Sequence, residues 1–286
     1  MNLIFIGATA GCSLYAVLHL VKDALSKEEQ TDDAARPAHQ AFVLARRPEE
    51  YKNILLDTHQ VSPAAFERGI LTIVGGDATS AADMRRLFQT AKREGGTNKK
   101  NKIDAIVTSV GAKLIFHANP LRAPSLSPPN LCTNATRALL EALRDEFPAS
   151  AGGGQEQPRV VAITSNGIGK EAHAQVPFLL RGMYSWMLHE PHADKQEVET
   201  LLLRAANLSH PEFNPTPSAT EPREINSLTL IRPALLTSAP ASTKPVRAGA
   251  TLSGAYTISR ADVGRVMWEE CLVGGKWAGE GILLAY

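Results

Sequence analysis

Side chains suited to proton transfer lie in the second half of the chain. Lys195 is three residues before Val198 and seven before Leu202, so it lies on the apolar stripe of a predicted amphipathic helix and faces a sheet. A lysine in that position needs a partner or a catalytic role, although its long side chain can also reach water near the helix end. Ser165 follows a buried strand, at the sheet edge where chemistry is expected. The candidate acid–base residues are Lys195, Ser165, Tyr184 and His192.

A turn of small residues near the start of the chain is suited to binding phosphate. The apolar run LIFI predicts a buried strand, the next seven residues (GATAGCS) keep their side chains small, and an apolar stripe then predicts a helix. Backbone N–H groups at such a helix start favour a pyrophosphate. A dinucleotide-binding turn would carry three glycines, whereas this one has Gly7, Ala10 and Ser13, and Gly11 lies one step off. The alternative is a strand-to-helix turn that binds nothing.

Charged residues follow the second and third predicted strands. Arg46 and Arg47 lie where a dinucleotide-binding fold places the residue that contacts the adenosine ribose. Arginine there pairs with a 2′-phosphate, so the sequence favours NADP(H) over NAD, with a solvated charge pair as the alternative. Asp77 follows the third strand and either contacts the adenine or serves as a turn or helix-capping residue.

The composition is typical of a soluble globular protein that acts on small molecules. The 286 residues include 30 Lys and Arg against 29 Asp and Glu, and 44% are hydrophobic. We expect one domain over residues 1–286, a small-molecule substrate, no nucleic acid or membrane partner, and a homodimer as one option. Three distant cysteines without metal-ligand spacing indicate no metal and a reducing, cytoplasmic location. Cys12 starts a predicted helix, where a thiol pKa can fall, but a small residue in a crowded turn is the favoured interpretation.

The order of strands and helices predicts an α/β fold. Buried strands alternate with amphipathic helices, which indicates a Rossmann-like, doubly wound parallel sheet with helices on both faces and a small C-terminal substrate-side region. Parallel strands bring their carboxyl ends to one edge, so Ser109 and Thr164 should lie close together. A helix is predicted over 131–147, and two helical pieces should divide at Pro191. The substrate-side segments are 112–130, 168–192 and 234–258.

Taken together, the motifs resemble those of atypical short-chain dehydrogenases/reductases, specifically the NmrA-like NAD(P)-binding proteins and their fungal averufin oxidase-type members. The motifs are GATAGCS, LARR, GDAT, TSVG, TSNG, PHADK, LIRPALLT and ISRADV, in that order over almost the whole chain. The order of these motifs is more specific than any one of them.

The resemblance implies roles for individual residues in binding NADP(H). The implied sites are the pyrophosphate, the 2′-phosphate, the adenine, the ribose and the nicotinamide, with Ser165 at the reacting carbonyl and Lys195 on the nicotinamide ribose. The predicted cofactor-binding residues are Gly7, Thr9, Ala10, Gly11, Cys12, Ser13, Arg46, Arg47, Asp77, Ala78, Ser109, Val110, Gly111, Thr164, Ser165, Lys195, Arg232 and Pro233.

One departure from the wider superfamily leaves the proton donor open. A Tyr-x-x-x-Lys pair would place tyrosine at position 191, but this chain has Pro191 there. Tyr184 is eleven residues before Lys195 and shares its face only if the helix is continuous. The preferred function is an NADPH-dependent reductase of a carbonyl, enone or quinone-like compound, such as an aromatic polyketide intermediate of secondary metabolism. The alternatives are a non-catalytic NADP-sensing regulator and a redox-neutral isomerase, cyclase or dehydratase. The predicted pocket walls are Phe116, Phe178, Met183 and Trp186.

Overall fold

The computed structural model describes residues 1–28, 37–95, 102–119, 123–148, 157–176, 178–218 and 223–286. Within them the strands are β1 (Asn2–Ile6), β2 (Gln40–Ala45), β3 (Leu71–Gly75), β4 (Ala105–Thr108), β5 (Lys113–Ile115), β6 (Ser125–Ser127), β7 (Arg159–Ile163), β8 (Ser227–Pro233), β9 (Leu235–Thr237), β10 (Arg247–Gly249), β11 (Thr257–Ser259) and β12 (Gly281–Ala285). The α-helices are α1 (Gly11–Glu28), α2 (Pro48–Asn53), α3 (Ala64–Glu67), α4 (Ala81–Glu94), α5 (Leu131–Glu146), α6 (Lys170–Gln175), α7 (Phe178–Met187), α8 (His189–Ala205) and α9 (Arg260–Val266), and π-helical turns at Ile54–Thr58 and Met267–Val273 continue α2 and α9.

The central sheet has the doubly wound order that the sequence predicts. Its strands lie in the order β10-β12-β8-β7-β4-β1-β2-β3, and all neighbours are parallel except the edge strand β10. The chain leaves β1 towards β2 and β3 on one side and returns to β4 on the other, so the order reverses between β1 and β4. Ligands bind at this reversal point, beyond the carboxyl ends of the strands, in open α/β sheets.

Buried strand residues explain why helices cover both faces of the sheet. All five residues of β1 and all six of β2 are buried, as in strands that are covered on both sides. One apolar core includes the buried stripes of α1 and α9, and the second includes those of α4, α5 and α8. The predicted fold class is therefore confirmed.

Serine side chains cap two of the helices, whereas the break predicted at Pro191 lies three residues earlier. The hydroxyl oxygens of Ser80 and Ser259 accept hydrogen bonds from backbone N–H groups in the first turns of α4 and α9. The break between α7 and α8, however, lies at Leu188, and Pro191 sits inside the first turn of α8, where a missing N–H costs nothing. Tyr184 and Lys195 are therefore on separate helices. No helix in the described ranges is long and apolar enough to cross a membrane.

Candidate functional site

A cleft opens at the point where the strand order reverses. It has a volume of about 410 Å³ and lies beyond the carboxyl ends of β1, β2, β3 and β4. Ten of the predicted cofactor-binding residues line it: Gly7, Thr9, Ala10, Gly11, Arg46, Asp77, Ala78, Ser109, Val110 and Gly111. Residues up to 104 positions apart in sequence are thus brought to one surface by the parallel sheet.

Two glycines shape the turn between β1 and α1. Gly7 has φ +80°, and a Cβ atom built on it would lie 2.7 Å from the backbone nitrogen of Val110. Gly11 has φ +74°, but a Cβ atom there would meet nothing within 4 Å. Gly7 therefore permits close contact between the turn and the end of β4, whereas Gly11 only permits the left-handed backbone at the start of α1.

Cys12 and Ser13 have side chains that do not line the cleft. Both are buried, and the Ser13 hydroxyl lies 3.9 Å from the sulfur of Met267. Burial raises the pKa of the Cys12 thiol to about 12, so this thiol is not activated by the helix start. If these two residues contact a pyrophosphate, as predicted, they can do so only through their backbone N–H groups.

The two consecutive arginines after β2 have different surroundings. Arg46 lines the cleft, and within the described part of the chain it forms no ion pair. Arg47 forms an ion pair of 2.7 Å with Glu50 and has a side chain that is 77% exposed. Successive residues of an extended segment point to opposite sides, so only Arg46 faces the cleft.

Asp77 has the turn role that the sequence left as an alternative. Its carboxylate accepts hydrogen bonds from the backbone nitrogen and the hydroxyl of Thr79, at 2.8 and 2.7 Å, and these bonds lower the pKa of Asp77. It also lines the cleft. One carboxylate thus orders the turn after β3 and remains at the surface where an adenine is expected.

Lys195 bridges the ends of two neighbouring strands. Its Nζ donates hydrogen bonds to the carbonyl oxygens of Val110 (2.7 Å) and Ile163 (3.0 Å). The prediction that this lysine faces the sheet is therefore confirmed, and the alternative in which it reaches water is wrong. An ammonium group has three N–H donors, so one of them remains for a further acceptor.

Ser165 and His192 form a pair at the carboxyl end of β7. The serine Oγ lies 3.4 Å from the His192 Nε2 and 3.2 Å from the carbonyl oxygen of Asn166. Burial, together with the nearby His173, lowers the pKa of His192 to about 4, so the imidazole is neutral at pH 7. The side chain of Tyr184, on α7, lies outside the described residues.

Asn166 lies at the same strand end, within the TSNG motif, and has no predicted role in binding or catalysis. It is buried, and neither its amide nitrogen nor its amide oxygen has a hydrogen-bond partner among the described residues. Buried polar groups are nearly always paired, so this carboxamide is one of the few exceptions among the described residues.

Three of the other predicted cofactor residues have structural partners. Thr164 donates a 2.6 Å hydrogen bond to Glu199, a fully buried carboxylate. Arg232 binds the same carboxylate through Nε (2.9 Å) and Nη2 (2.5 Å). Pro233 is buried, and its carbonyl oxygen accepts a hydrogen bond from the Asn166 nitrogen. The Glu199 carboxylate therefore satisfies the Arg232 charge, an interaction that the strand pattern of β8 does not predict.

Two functional positions were missed by sequence reasoning. Asp194, inside the PHADK motif, accepts hydrogen bonds from the Cys132 nitrogen (3.0 Å) and from the Thr133 nitrogen (2.9 Å) and hydroxyl (2.7 Å). It therefore caps α5 from another helix and fixes the position of the adjacent Lys195. Arg260, the first residue of α9, also lines the cleft. Its only sequence signal is its place directly after the capping Ser259.

We expect Asp194→Asn to lower the free energy of unfolding by about 1–2 kcal/mol at pH 7. The neutral amide of asparagine accepts hydrogen bonds from Cys132 and Thr133 more weakly than the buried carboxylate does. Burial disfavours the charged form, but the hydrogen bonds from Thr133 and Cys132 outweigh this effect and lower the pKa of Asp194 from its ordinary value. The stabilisation is therefore present above the unfolded-state pKa and disappears as the pH falls through the folded value, so the difference from wild type should shrink in acid.

Urea unfolding at pH 7 and at acidic pH measures this effect. Glu197→Gln is the matched control, because Glu197 lies on the same helix and makes only an exposed 3.3 Å ion pair with Arg137, expected to contribute below about 0.5 kcal/mol. Equal costs for the two variants at pH 7 would contradict the capping role of Asp194.

Comparisons with known proteins agree with the fold and with a redox function. No protein-family model matches the chain. The chain is 30% identical to the reductase pytE of Aspergillus terreus over 262 residues, which cover 88% of this chain and 91% of that protein. It is 29% identical to the oxidase pynE of Aspergillus niger over 308 aligned positions, which cover 98% of this chain and 96% of that one.

Solved structures with low sequence identity share the fold. The anaerobillin reductase ChuY from Escherichia coli superposes with a TM-score of 0.58 at 14% identity, covering 100% of this chain and 97% of that one. A short-chain dehydrogenase from Burkholderia cenocepacia, solved in complex with NADP, gives a TM-score of 0.55 at 14% identity, covering 99% and 95%. Similarity at this level of identity shows a common architecture only.

Proposed function

The chain belongs to the oxidoreductase family that includes the Aspergillus terreus reductase pytE, and from this we propose that it is an NADPH-dependent reductase of a carbonyl, enone or quinone-like substrate. The observation that carries the cofactor preference is Arg46, a guanidinium at the cleft that forms no ion pair within the described residues. A 2′-phosphate would supply the missing partner through charge-assisted hydrogen bonds.

The shape of the cleft fits a dinucleotide. Gly11 leaves open space next to the N-terminus of the 18-residue helix α1, and the turn presents backbone N–H groups without large side chains. A volume of about 410 Å³ lies within the range of small-molecule sites. We propose that the turn holds the pyrophosphate, Arg46 the 2′-phosphate, and Asp77 the adenine.

The end of β7 is proposed as the site of proton transfer. NADPH, when bound, would supply the hydride that reduces the substrate. The Ser165 hydroxyl would donate a hydrogen bond and then its proton to the substrate oxygen. Neutral His192 would pass a proton from its Nε2 to the serine oxygen while its Nδ1 takes one up from water, so that the imidazole stays neutral. Lys195 would hold the strand ends together through Val110 and Ile163 and direct its third N–H towards the nicotinamide ribose.

Exposed aromatic side chains support an aromatic substrate. Phe116, Trp186 and Tyr256 are 66%, 43% and 49% exposed, and each lies on a different substrate-side segment. The side chains of Phe178 and Met183 lie outside the described residues. We propose that these side chains contact a planar, polyketide-like substrate of secondary metabolism, since aromatic rings stack on one another.

Membership of the NmrA-like, averufin oxidase-type group and a single domain over residues 1–286 are part of the same proposal. The segments 112–130, 168–192 and 234–258 would then form the substrate side. A homodimer is compatible with this assignment.

Ser165→Ala should lower kcat by about 10- to 30-fold and leave the NADPH Kd within about twofold of wild type, because the variant removes the proton donor and spares the cofactor cleft. Stopped-flow loss of nicotinamide absorbance with a panel of quinones and aromatic ketones measures kcat, and fluorescence titration measures Kd. Ser26→Ala is the matched control, since Ser26 lies in the last turn of α1 and its hydroxyl donates an exposed 2.9 Å hydrogen bond to the Asp23 carbonyl oxygen. Equal activity of the two variants would contradict the role of Ser165.

Two further functions are favoured by particular contacts. Lys195 has no tyrosine four residues before it and is bound to two carbonyl oxygens, which favours a non-catalytic NADP-sensing regulator. The Ser165–His192 pair can also move protons without a redox change, which favours an isomerase, cyclase or dehydratase. Tight NADPH binding without oxidation by any compound of the panel would support the first, and turnover at constant nicotinamide absorbance the second.

A further inference from the structure

Arg260 brings a second guanidinium to the cleft, from the C-terminal part of the chain. It lines the same cleft as Gly11 and Arg46 and is partly buried. It lies close enough to the first turn of α1 for its charge to oppose the effect of burial on the pKa of Cys12. Arg260 is therefore near the start of α1, whereas Arg46 follows β2.

The first turn of α9 is held rigidly against α1. Gly264, one turn after Arg260, lies so close to α1 that a Cβ atom there would be 2.4 Å from the Tyr15 Cβ and 2.6 Å from the Cys12 carbonyl oxygen. Asp262 is buried and accepts hydrogen bonds from the Ser259 hydroxyl (2.8 Å) and the Tyr286 hydroxyl (2.6 Å). These contacts fix the position from which the Arg260 side chain extends.

The guanidinium of Arg260 has little to neutralise its charge. Its Nη1 donates a 3.0 Å hydrogen bond to the Ser238 hydroxyl, and no carboxylate of the described residues lies within 4 Å of it. A guanidinium has five N–H donors, so most of its hydrogen-bonding capacity is available to an anion in the cleft.

We propose that Arg260 binds the diphosphate of the dinucleotide beside the start of α1, so that the C-terminal part of the chain completes the cofactor cradle. This inference rests on the proposed function. The diphosphate is common to NADPH and NADH, whereas the 2′-phosphate assigned to Arg46 occurs only in NADPH. The two arginines therefore have different expected effects on cofactor choice.

Binding measurements without any substrate test the inference. Isothermal titration of Arg260→Ala and Arg260→Gln should show Kd values for NADPH and for NADH that are both raised about tenfold, with the NADH-to-NADPH ratio unchanged. The Kd of 2′-AMP, which carries no diphosphate, should stay within about twofold. Arg144→Ala is the charge-matched control, because Arg144 lies on α5, is exposed and forms a 3.0 Å ion pair with Glu224.

A structural role for Arg260 predicts a different result. Ser238→Ala removes the hydrogen bond to the segment after β9 and keeps the guanidinium, so a similar loss in this variant would overturn the inference. Arg260→Gln retains a donor for Ser238 and serves if Arg260→Ala fails to fold. Unchanged NADPH and NADH affinities, or a loss confined to NADPH, would also overturn it. A wild-type protein that binds neither nucleotide would instead contradict the proposed function itself.

Discussion

Arg46→Ala is expected to raise the Kd of NADPH about 100-fold and to leave the Kd of NADH within about twofold. The guanidinium lines the cleft, forms no ion pair among the described residues and interacts with the Asp77 carboxylate only at longer range. It is therefore available to pair with a 2′-phosphate, and alanine removes that interaction. Two charge-assisted hydrogen bonds at 1.5–3 kcal/mol each, reduced by solvent exposure, give about 2.7 kcal/mol, which corresponds to a factor of about 100.

The neighbouring arginine supplies the control for this prediction. Arg47→Ala removes an equal charge one residue away, but Arg47 is paired with Glu50 and directed into solvent, so NADPH binding should change less than about threefold. Titration of both variants with both cofactors distinguishes the two positions. Equal losses for NADPH and NADH in Arg46→Ala would show that this arginine does not bind the 2′-phosphate.

Gly7→Ala is expected to lower the free energy of unfolding by about 3 kcal/mol and to abolish measurable NADPH binding. An alanine at position 7 would have to adopt a left-handed backbone conformation, which costs about 1 kcal/mol. Its methyl group would also lie 2.7 Å from the Val110 nitrogen. Backbone atoms at the end of β4 cannot rotate away as a side chain can, so relief requires β1 and β4 to separate locally, at about 2 kcal/mol more.

Two other glycines of the same cleft separate these contributions. Gly11→Ala has the left-handed backbone without a close contact and should cost about 1 kcal/mol, whereas Gly111→Ala has neither and should be nearly neutral. Urea unfolding of the three variants gives the series. If Gly7→Ala and Gly11→Ala cost the same, the close approach to Val110 is not what requires glycine at position 7.

The sequence predicted the fold and the general location of the site because both depend on local patterns. A buried strand is recognisable from LIFI or RVVAI alone, and a helix start is recognisable from Ser80 or Ser259 with its first turn. Once strands alternate with helices, the parallel sheet brings their carboxyl ends to one edge, which explains why ten predicted residues line one cleft. Errors at this level are small, such as the helix break at Leu188 in place of Pro191.

Partner choice was determined only by the tertiary structure. Arg46 and Arg47 look equivalent in sequence, but the fold places only Arg46 at the cleft, whereas Arg47 is exposed and pairs with Glu50. Arg232 lies 33 positions from Glu199, and Asp194 lies 61 positions from Thr133, so neither pairing leaves a periodic signal. A local pattern specifies which face of an element is apolar. It does not specify which distant backbone N–H or guanidinium will occupy the space beside a buried carboxylate, since that depends on how complete elements pack.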